Sequence, residues 1–240
     1  MSQSFLLHSF PRSGNHLVRA FIEIATKKPT QGCPGNPLDK PILQQYFDSR
    51  RVYTKGSDYI ALKSHFQQEY LINKQQLKSQ DINSSTIIIF REPLAAISSH
   101  YKRFCSTTPF QRKEAHARML ERSINLYQES INIAEDAKGN SSHLLIISFE
   151  GLVDKNHANL TAFNSLLQFI KKGSNTSLSL SNSIILSKCI EQAKLTARAV
   201  KPDQASRLTV DENSMKANLM GFSKQIENLQ KQLTGLAIKN

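Results

Sequence analysis

The chain has 240 residues, 39% of them hydrophobic, and carries 31 Lys and Arg against 19 Asp and Glu, a formal charge of +12. That is apolar material for one domain with a substantial core and too little for two, so residues 1–240 read as a single domain. No run approaches the ~18 consecutive apolar residues of a membrane span, and the first residues lack the basic region and small-residue cleavage site of a secretory leader. A cytoplasmic chain is therefore expected. The excess positive charge favours an anionic partner, but the basic residues are scattered and no aromatic–basic RNA motif is present. A non-catalytic binder of nucleic acid or acidic surfaces stays only as an alternative, and nucleic acid is not the expected partner. Cys33, Cys105 and Cys189 lie far apart without a CxxC pair, which favours free thiols over a disulfide framework or a zinc site.

In chain order, Ser4 to Phe10 reads as a short buried strand. His16 to Lys28 reads as an amphipathic helix, because Leu17, Ala20, Phe21 and Ile24 fall on one face; Pro29 stops it. Residues 29–41 hold five prolines or glycines after Pro29 and read as a long irregular loop of the kind that often binds. Tyr59 to Lys63 is a second strand candidate. Thr86-Ile87-Ile88-Ile89-Phe90 is the clearest strand, apolar and β-branched as a central parallel strand is. Glu92-Pro93 ends it, and Leu94 to Phe104 reads as helix. Arg112 to Ala137 reads as a long polar helix, Leu144 to Phe149 as a buried strand, and His157 to Lys171 as a helix. Residues 172–183 are rich in Ser and Asn and read as a flexible loop. The remainder, 184–240, reads as a helical C-terminal part, with helices over Ile184–Val200 and Ser223–Leu233. Strands alternating with helices predict an α/β fold: three layers, a mostly parallel sheet between helices, with ligands bound beyond the carboxyl ends of the strands.

The turn Ser9-Phe10-Pro11-Arg12-Ser13-Gly14-Asn15 lies at such an end. Amides at a helix N-terminus lack intrahelical acceptors and carry partial positive charge. Gly14 permits close backbone approach, Ser13 and Asn15 add short polar groups, and Arg12 supplies a permanent cation. Together they can cradle a phosphate-like anion. The plainer reading is a strand–helix connection capped by Ser13 or Asn15. A Gly-Lys-Ser/Thr ending is absent, which disfavours ordinary Mg²⁺-dependent ATP or GTP hydrolysis. A small-molecule kinase or another nucleotide-binding enzyme with a P-loop-like turn is the enzymatic alternative; Glu92 and Glu150 would then be its candidate metal carboxylates.

Pro11-Arg12-Ser13-Gly14-Asn15-His16-Leu17-Val18-Arg19 resembles the first loop of the sulfotransferases that use 3'-phosphoadenosine 5'-phosphosulfate (PAPS), PKSGTTW or PRSGNTWLR, departing at His16, Leu17 and Val18. Ile88 to Tyr101 resembles the family's second segment, where an Arg ends a strand and a Ser follows eight residues later: here Arg91 and Ser99. Leu62-Lys63-Ser64-His65-Phe66 is similar to the Lys-Thr-His of the family's cytosolic branch, and Ser148-Phe149-Glu150-Gly151-Leu152 to its Tyr-Glu-Asp-Leu.

The resemblance implies a P-loop NTPase-like sulfotransferase fold and sulfuryl transfer from PAPS, as co-substrate, to a hydroxyl or amine. The acceptor would be a small molecule, a carbohydrate or a peptide. It implies that Arg12, Ser13, Gly14, Asn15 and His16 wrap the 5'-phosphosulfate, that Arg91 and Ser99 hold the 3'-phosphate, and that Phe149 stands near the adenine. His65 would be the general base, with Lys63 and Arg12 balancing charge on the bridging oxygen and the transferred group; Glu69 or His16 would be the next candidate bases. Such a transfer requires no metal, since positioning and charge stabilisation carry most of it. The family's C-terminal closing segment has no recognisable counterpart. The chain lacks Trp altogether, and Arg207 ahead of Met215-Lys216 is the best stand-in.

Overall fold

The computed structural model describes residues 4–32, 41–43, 59–80, 85–105, 113–141, 143–154, 158–174, 183–199 and 212–236. Five strands form one sheet: β1 (Phe5–Ser9), β2 (Thr30–Gln31), β3 (Ala61–Ser64), β4 (Ser85–Phe90) and β5 (Leu144–Ser148). Their order is β2-β3-β1-β4-β5, and every pairing is parallel. The sheet is thus wholly, not mostly, parallel among the described residues. β1 lies at the centre, with Leu6 opposite Leu62 on one side and opposite Thr86 on the other.

Every residue of β1, β3 and β4 is buried, which is why these runs lack the polar–apolar alternation of a half-solvated strand. The pleat sends alternate residues to opposite faces. Leu6, Leu62, Ile88 and Ile146 face a core built with α2 (Gln67–Lys78), α3 (Pro93–Cys105), α4 (Lys113–Asn140), α8 (Glu212–Met220) and α9 (Ser223–Thr234). Leu7, Ile87, Ile89 and Ile147 face a second core built with α1 (Asn15–Thr26), α5 (Phe149–Val153), α6 (Ala158–Ser174) and α7 (Ser183–Ala199).

Several boundaries differ from those read in the sequence. The second strand candidate begins later, at Ala61; just before it, the carbonyls of Tyr59 and Ile60 accept the Ser4 hydroxyl and the Phe5 amide. Three helices were not legible. In α2 only Tyr70, Asn73 and Leu77 are buried, too few for an apolar stripe. α5 begins where the last strand was expected to continue, since the Ser148 hydroxyl accepts the Gly151 amide at 2.9 Å and caps the helix. α8 is the third. Within the long loop, Thr30–Gln31 pairs as β2, while residues 33–40, Cys33 among them, lie outside the described residues. Of the expected flexible loop, 172–174 finish α6, and 175–182 lie outside the described residues, as do Arg207 and residues 106–112. Among the described residues, no helix is long and apolar enough to cross a membrane.

α1 carries two buried charges. Arg19 Nε donates to Thr30 Oγ1 at 2.8 Å, and the Glu23 carboxylate accepts from Thr30 Oγ1 (2.5 Å) and from the amides of Thr30 (3.1 Å), Ile42 (3.1 Å) and Leu43 (2.7 Å). Thr30 of β2 and residues 42–43 are thereby fastened to one helix.

β1 also buries His8, whose Nδ1 meets Ser64 Oγ at 2.9 Å and whose Nε2 meets Ser130 Oγ at 3.1 Å, with Tyr70 edge-on. Burial pushes this imidazole down to about 3. His100, in α3, is pushed down to about 4 by burial, with Arg122 and Arg12 adding to the effect. Both rings are therefore neutral in the folded chain near pH 7, whereas in the unfolded chain they take up protons below about pH 6.5. The unfolded state binds more protons between the two values, so stability falls as pH drops through that window. We expect urea unfolding at pH 5 to cost roughly 2 kcal/mol less than at pH 7.5 for His8 alone, with His100 acting in the same direction. In a His8→Gln variant, that part of the pH dependence disappears.

Candidate active site

The loop between β1 and α1 is held by its backbone. The Ser13 amide donates to the Phe10 carbonyl at 3.2 Å, and the amides of Leu17 and Val18 both use the Gly14 carbonyl. Phe10 is buried against the rings of His100 and Tyr127, 5.3 and 5.1 Å away, which pins the loop from below. Gly14, not Ser13 or Asn15, is the residue at the N-cap, and no side chain caps the helix. Its φ of 89° lies in the left-handed region, where glycine avoids the Cβ clash. Arg12 is also left-handed, at φ 71°, a conformation that costs a non-glycine residue about 1–2 kcal/mol. Such strain persists only where surrounding contacts hold it, and it clusters at functional sites.

Asn15 opens α1 and turns its Nδ2 back to Ser9 Oγ at 3.0 Å. Ser13 Oγ and Asn15 Oδ1 are buried, and neither has a hydrogen-bond partner among the described residues. A buried polar atom left unsatisfied costs stability, so an orphaned hydroxyl in a loop of amides and cations fits an anion's oxygen. His16 is exposed in the first turn of α1.

Arg12 Nε reaches Ser99 Oγ at 3.4 Å, and Arg91 Nη1 donates to the Arg12 carbonyl at 3.3 Å. The ends of β1 and β4 thus bring Arg12, Arg91 and Ser99 to one place. The carbonyl of Arg91 accepts the Tyr127 hydroxyl at 2.5 Å, and the Arg91 guanidinium stands over the Phe149 ring, 5.0 Å from its centre. The Tyr127 phenol is held far above its ordinary range by burial, with Glu150 and Glu92 adding to it, so it remains a donor.

The neighbouring carboxylates serve the backbone. Glu92 accepts the amides of Leu94 (2.9 Å) and Ala95 (2.6 Å) at the start of α3, and Glu150 accepts the Glu92 amide at 3.1 Å. These are the two groups a metal-dependent kinase would have needed beside the loop. Among the described residues, no cluster of three or more His, Cys, Asp or Glu could hold a metal ion.

His65 follows β3, the strand beside β1. Its Nδ1 lies 2.8 Å from the Ser9 carbonyl and 3.3 Å from Ser9 Oγ. A carbonyl only accepts, so Nδ1 is the donor, and in the neutral ring Nε2 carries the lone pair. Glu69 accepts the amides of His65 (2.7 Å) and Phe66 (3.3 Å), closing the turn into α2. Lys63, two residues earlier, is buried in β3, and its carbonyl accepts Asn73 Nδ2 at 2.8 Å.

Ser9 and Tyr127 were not singled out in the sequence, and Glu69 was named there only as a reserve base, not as the acceptor that closes this turn. That backbone role could have been read from its place three residues after Phe66, the spacing at which a carboxylate reaches back to a helix start. Ser9 and Tyr127 carry no local signal, since their partners are 56 and 36 residues away.

No protein-family model matches the chain, and no curated protein matches it by sequence. Its fold is similar to the crystal structure of the mouse sulfotransferase SULT7A1 complexed with PAP, with a TM-score of 0.56 and 16% identity, covering 98% of this chain and 89% of that one. At that identity the likeness concerns the fold: an α/β chain with a five-stranded, all-parallel sheet flanked by helices, sulfotransferase-like in architecture.

Proposed function

We propose that the chain is a sulfotransferase that takes its sulfuryl group from PAPS and passes it to a hydroxyl or amine of a small-molecule, carbohydrate or peptide acceptor. The observation that carries this reading is the convergence of three chain segments at the carboxyl ends of β3, β1 and β4. There Arg12 of the strained loop reaches Ser99 and accepts from Arg91 through its carbonyl, and the His65 imidazole is held on Ser9, three residues before Arg12.

When bound, PAPS supplies an activated sulfuryl group on a phosphate leaving group. The loop amides, the α1 N-terminus, the orphaned Ser13 hydroxyl and Arg12 hold the 5' end. Arg91 and Ser99 hold the 3'-phosphate and favour this nucleotide over one lacking it. His65 accepts the acceptor's proton at Nε2, its ring fixed through Nδ1 on Ser9. Arg12 and Lys63 stabilise the charge that grows on the departing oxygen. Phe149 lies beneath the Arg91 guanidinium, at the edge of the nucleotide site.

The test is transfer of radiolabel from sulfur-labelled PAPS to a panel of cell-extract acceptors. A thermal shift with adenosine 3',5'-bisphosphate exceeding that with ATP and Mg²⁺ is expected alongside it. Replacing Arg91 by Ala should weaken binding of the bisphosphate by about 1.5–3 kcal/mol, the range for a hydrogen bond to a charged group, and hardly affect adenosine 5'-monophosphate. Equal losses for the two nucleotides in calorimetry would remove Arg91 from the 3'-phosphate.

A further inference from the structure

Phe149 is gripped on two sides. A Cβ added at Gly14 would come within 2.4 Å of Phe149 Cδ2 and 2.9 Å of Cε2, so the ring edge fills the space that any other residue's side chain would take at position 14. Over the ring stands the guanidinium of Arg91. The Ser148 cap makes Phe149 the first residue of α5, and the next residue, Glu150, binds the amide of Glu92. The backbone at Arg91 and Glu92 is therefore fixed by Tyr127 and Glu150. Of the long Arg91 side chain, one end is tied by Nη1 to the Arg12 carbonyl; the plane of the guanidinium remains to be set, and a weakly hydrated, planar cation is well suited to lie on an aromatic face.

Resting on the sulfotransferase reading above, we infer that Phe149 is a positioning residue: its ring is the spacer between Gly14 and Arg91 that sets how far the second phosphate-holding arm stands from the first. The face beneath the guanidinium is occupied by Arg91, so a purine stacked there would have to displace the cation that reads the 3'-phosphate. Phe149 acts on the nucleotide through Arg91, and its contribution is selectivity for a nucleotide phosphorylated at both the 5' and 3' positions.

The test uses the full chain and a Phe149→Leu variant, which keeps an apolar side chain but has no aromatic face. Without nucleotide, ring-current shifts of the Arg91 side-chain protons, identified by their loss in Arg91→Lys, should be present in the parent and absent in F149L. With nucleotide, F149L should weaken adenosine 3',5'-bisphosphate by about fivefold to tenfold, the scale of a partly desolvated cation–π contact, and leave adenosine 5'-monophosphate unchanged. In an Arg91→Ala background the same substitution should add nothing. Phe149→Tyr, which restores the aromatic face, should restore the discrimination; it also serves if F149L does not fold. Equal weakening of both nucleotides, or Arg91 resonances that ignore the ring, overturns the inference. If the parent binds neither nucleotide, the sulfotransferase reading fails, and the ligand-free resonances alone decide whether Phe149 positions Arg91.

Discussion

Replacing His65 by Ala should lower transfer from PAPS by ~10² or more, the usual scale for loss of a general base, while affinity for adenosine 3',5'-bisphosphate stays at the parent value. The expectation rests on geometry. Nδ1 of His65 is 2.8 Å from a backbone carbonyl that cannot give up a proton, so Nδ1 donates and the neutral ring has Nε2 as its basic nitrogen. The nearest alternative, Glu69, has its carboxylate engaged by the amides of His65 and Phe66. Steady-state kinetics with saturating acceptor measures the effect, and calorimetry measures the nucleotide. Full activity in the variant would mean that another group takes the proton. Equal loss of turnover and nucleotide affinity would mean that His65 shapes the loop instead, through its contact with Ser9.

The second large effect concerns stability. Glu23 is 1% exposed and accepts four donors, and Arg19, joined to it through the Thr30 hydroxyl, is 0% exposed. Replacing Glu23 by Ala leaves those donors unsatisfied and a guanidinium buried beside them. Breaking one partner of such a buried charge network typically costs 3–5 kcal/mol. For a chain of this size that corresponds to a melting temperature lower by roughly 10 °C. Glu23→Gln, which keeps an acceptor oxygen and the volume, should lose less. Urea denaturation of the three proteins measures the difference, and a loss below 1 kcal/mol for the Ala variant would show that Thr30 and Leu43 are held by something else.

The layout of the chain could be read where local pattern and long-range packing agree. Ile87 to Phe90 is apolar on both faces because helices cover both faces of the sheet there. Helix α1 was legible from its apolar spacing, and the phosphate-type loop from the clustering of Arg12, Ser13, Gly14 and Asn15 between a strand and a helix. Helix α2 was not, because it buries only one side of three residues and its remaining residues are as polar as a loop's. Helix α5 was not, because a single serine hydroxyl decides whether Phe149 continues the strand or begins a helix.

The residue types of the candidate site were set by sequence alone: a glycine where the backbone must turn left-handed, arginines at strand ends, a histidine just past a strand. Which of them meet was decided only by the parallel order of the sheet. Placing β1 between β3 and β4 brings Ser9 to His65 and Arg12 to Arg91 and Ser99, across 56, 79 and 87 residues of chain. The same ordering hands Glu92 and Glu150 to backbone amides and slides Phe149 between a glycine and a guanidinium. No local spacing encodes these outcomes, because they depend on which strands become neighbours when two apolar faces are buried at once.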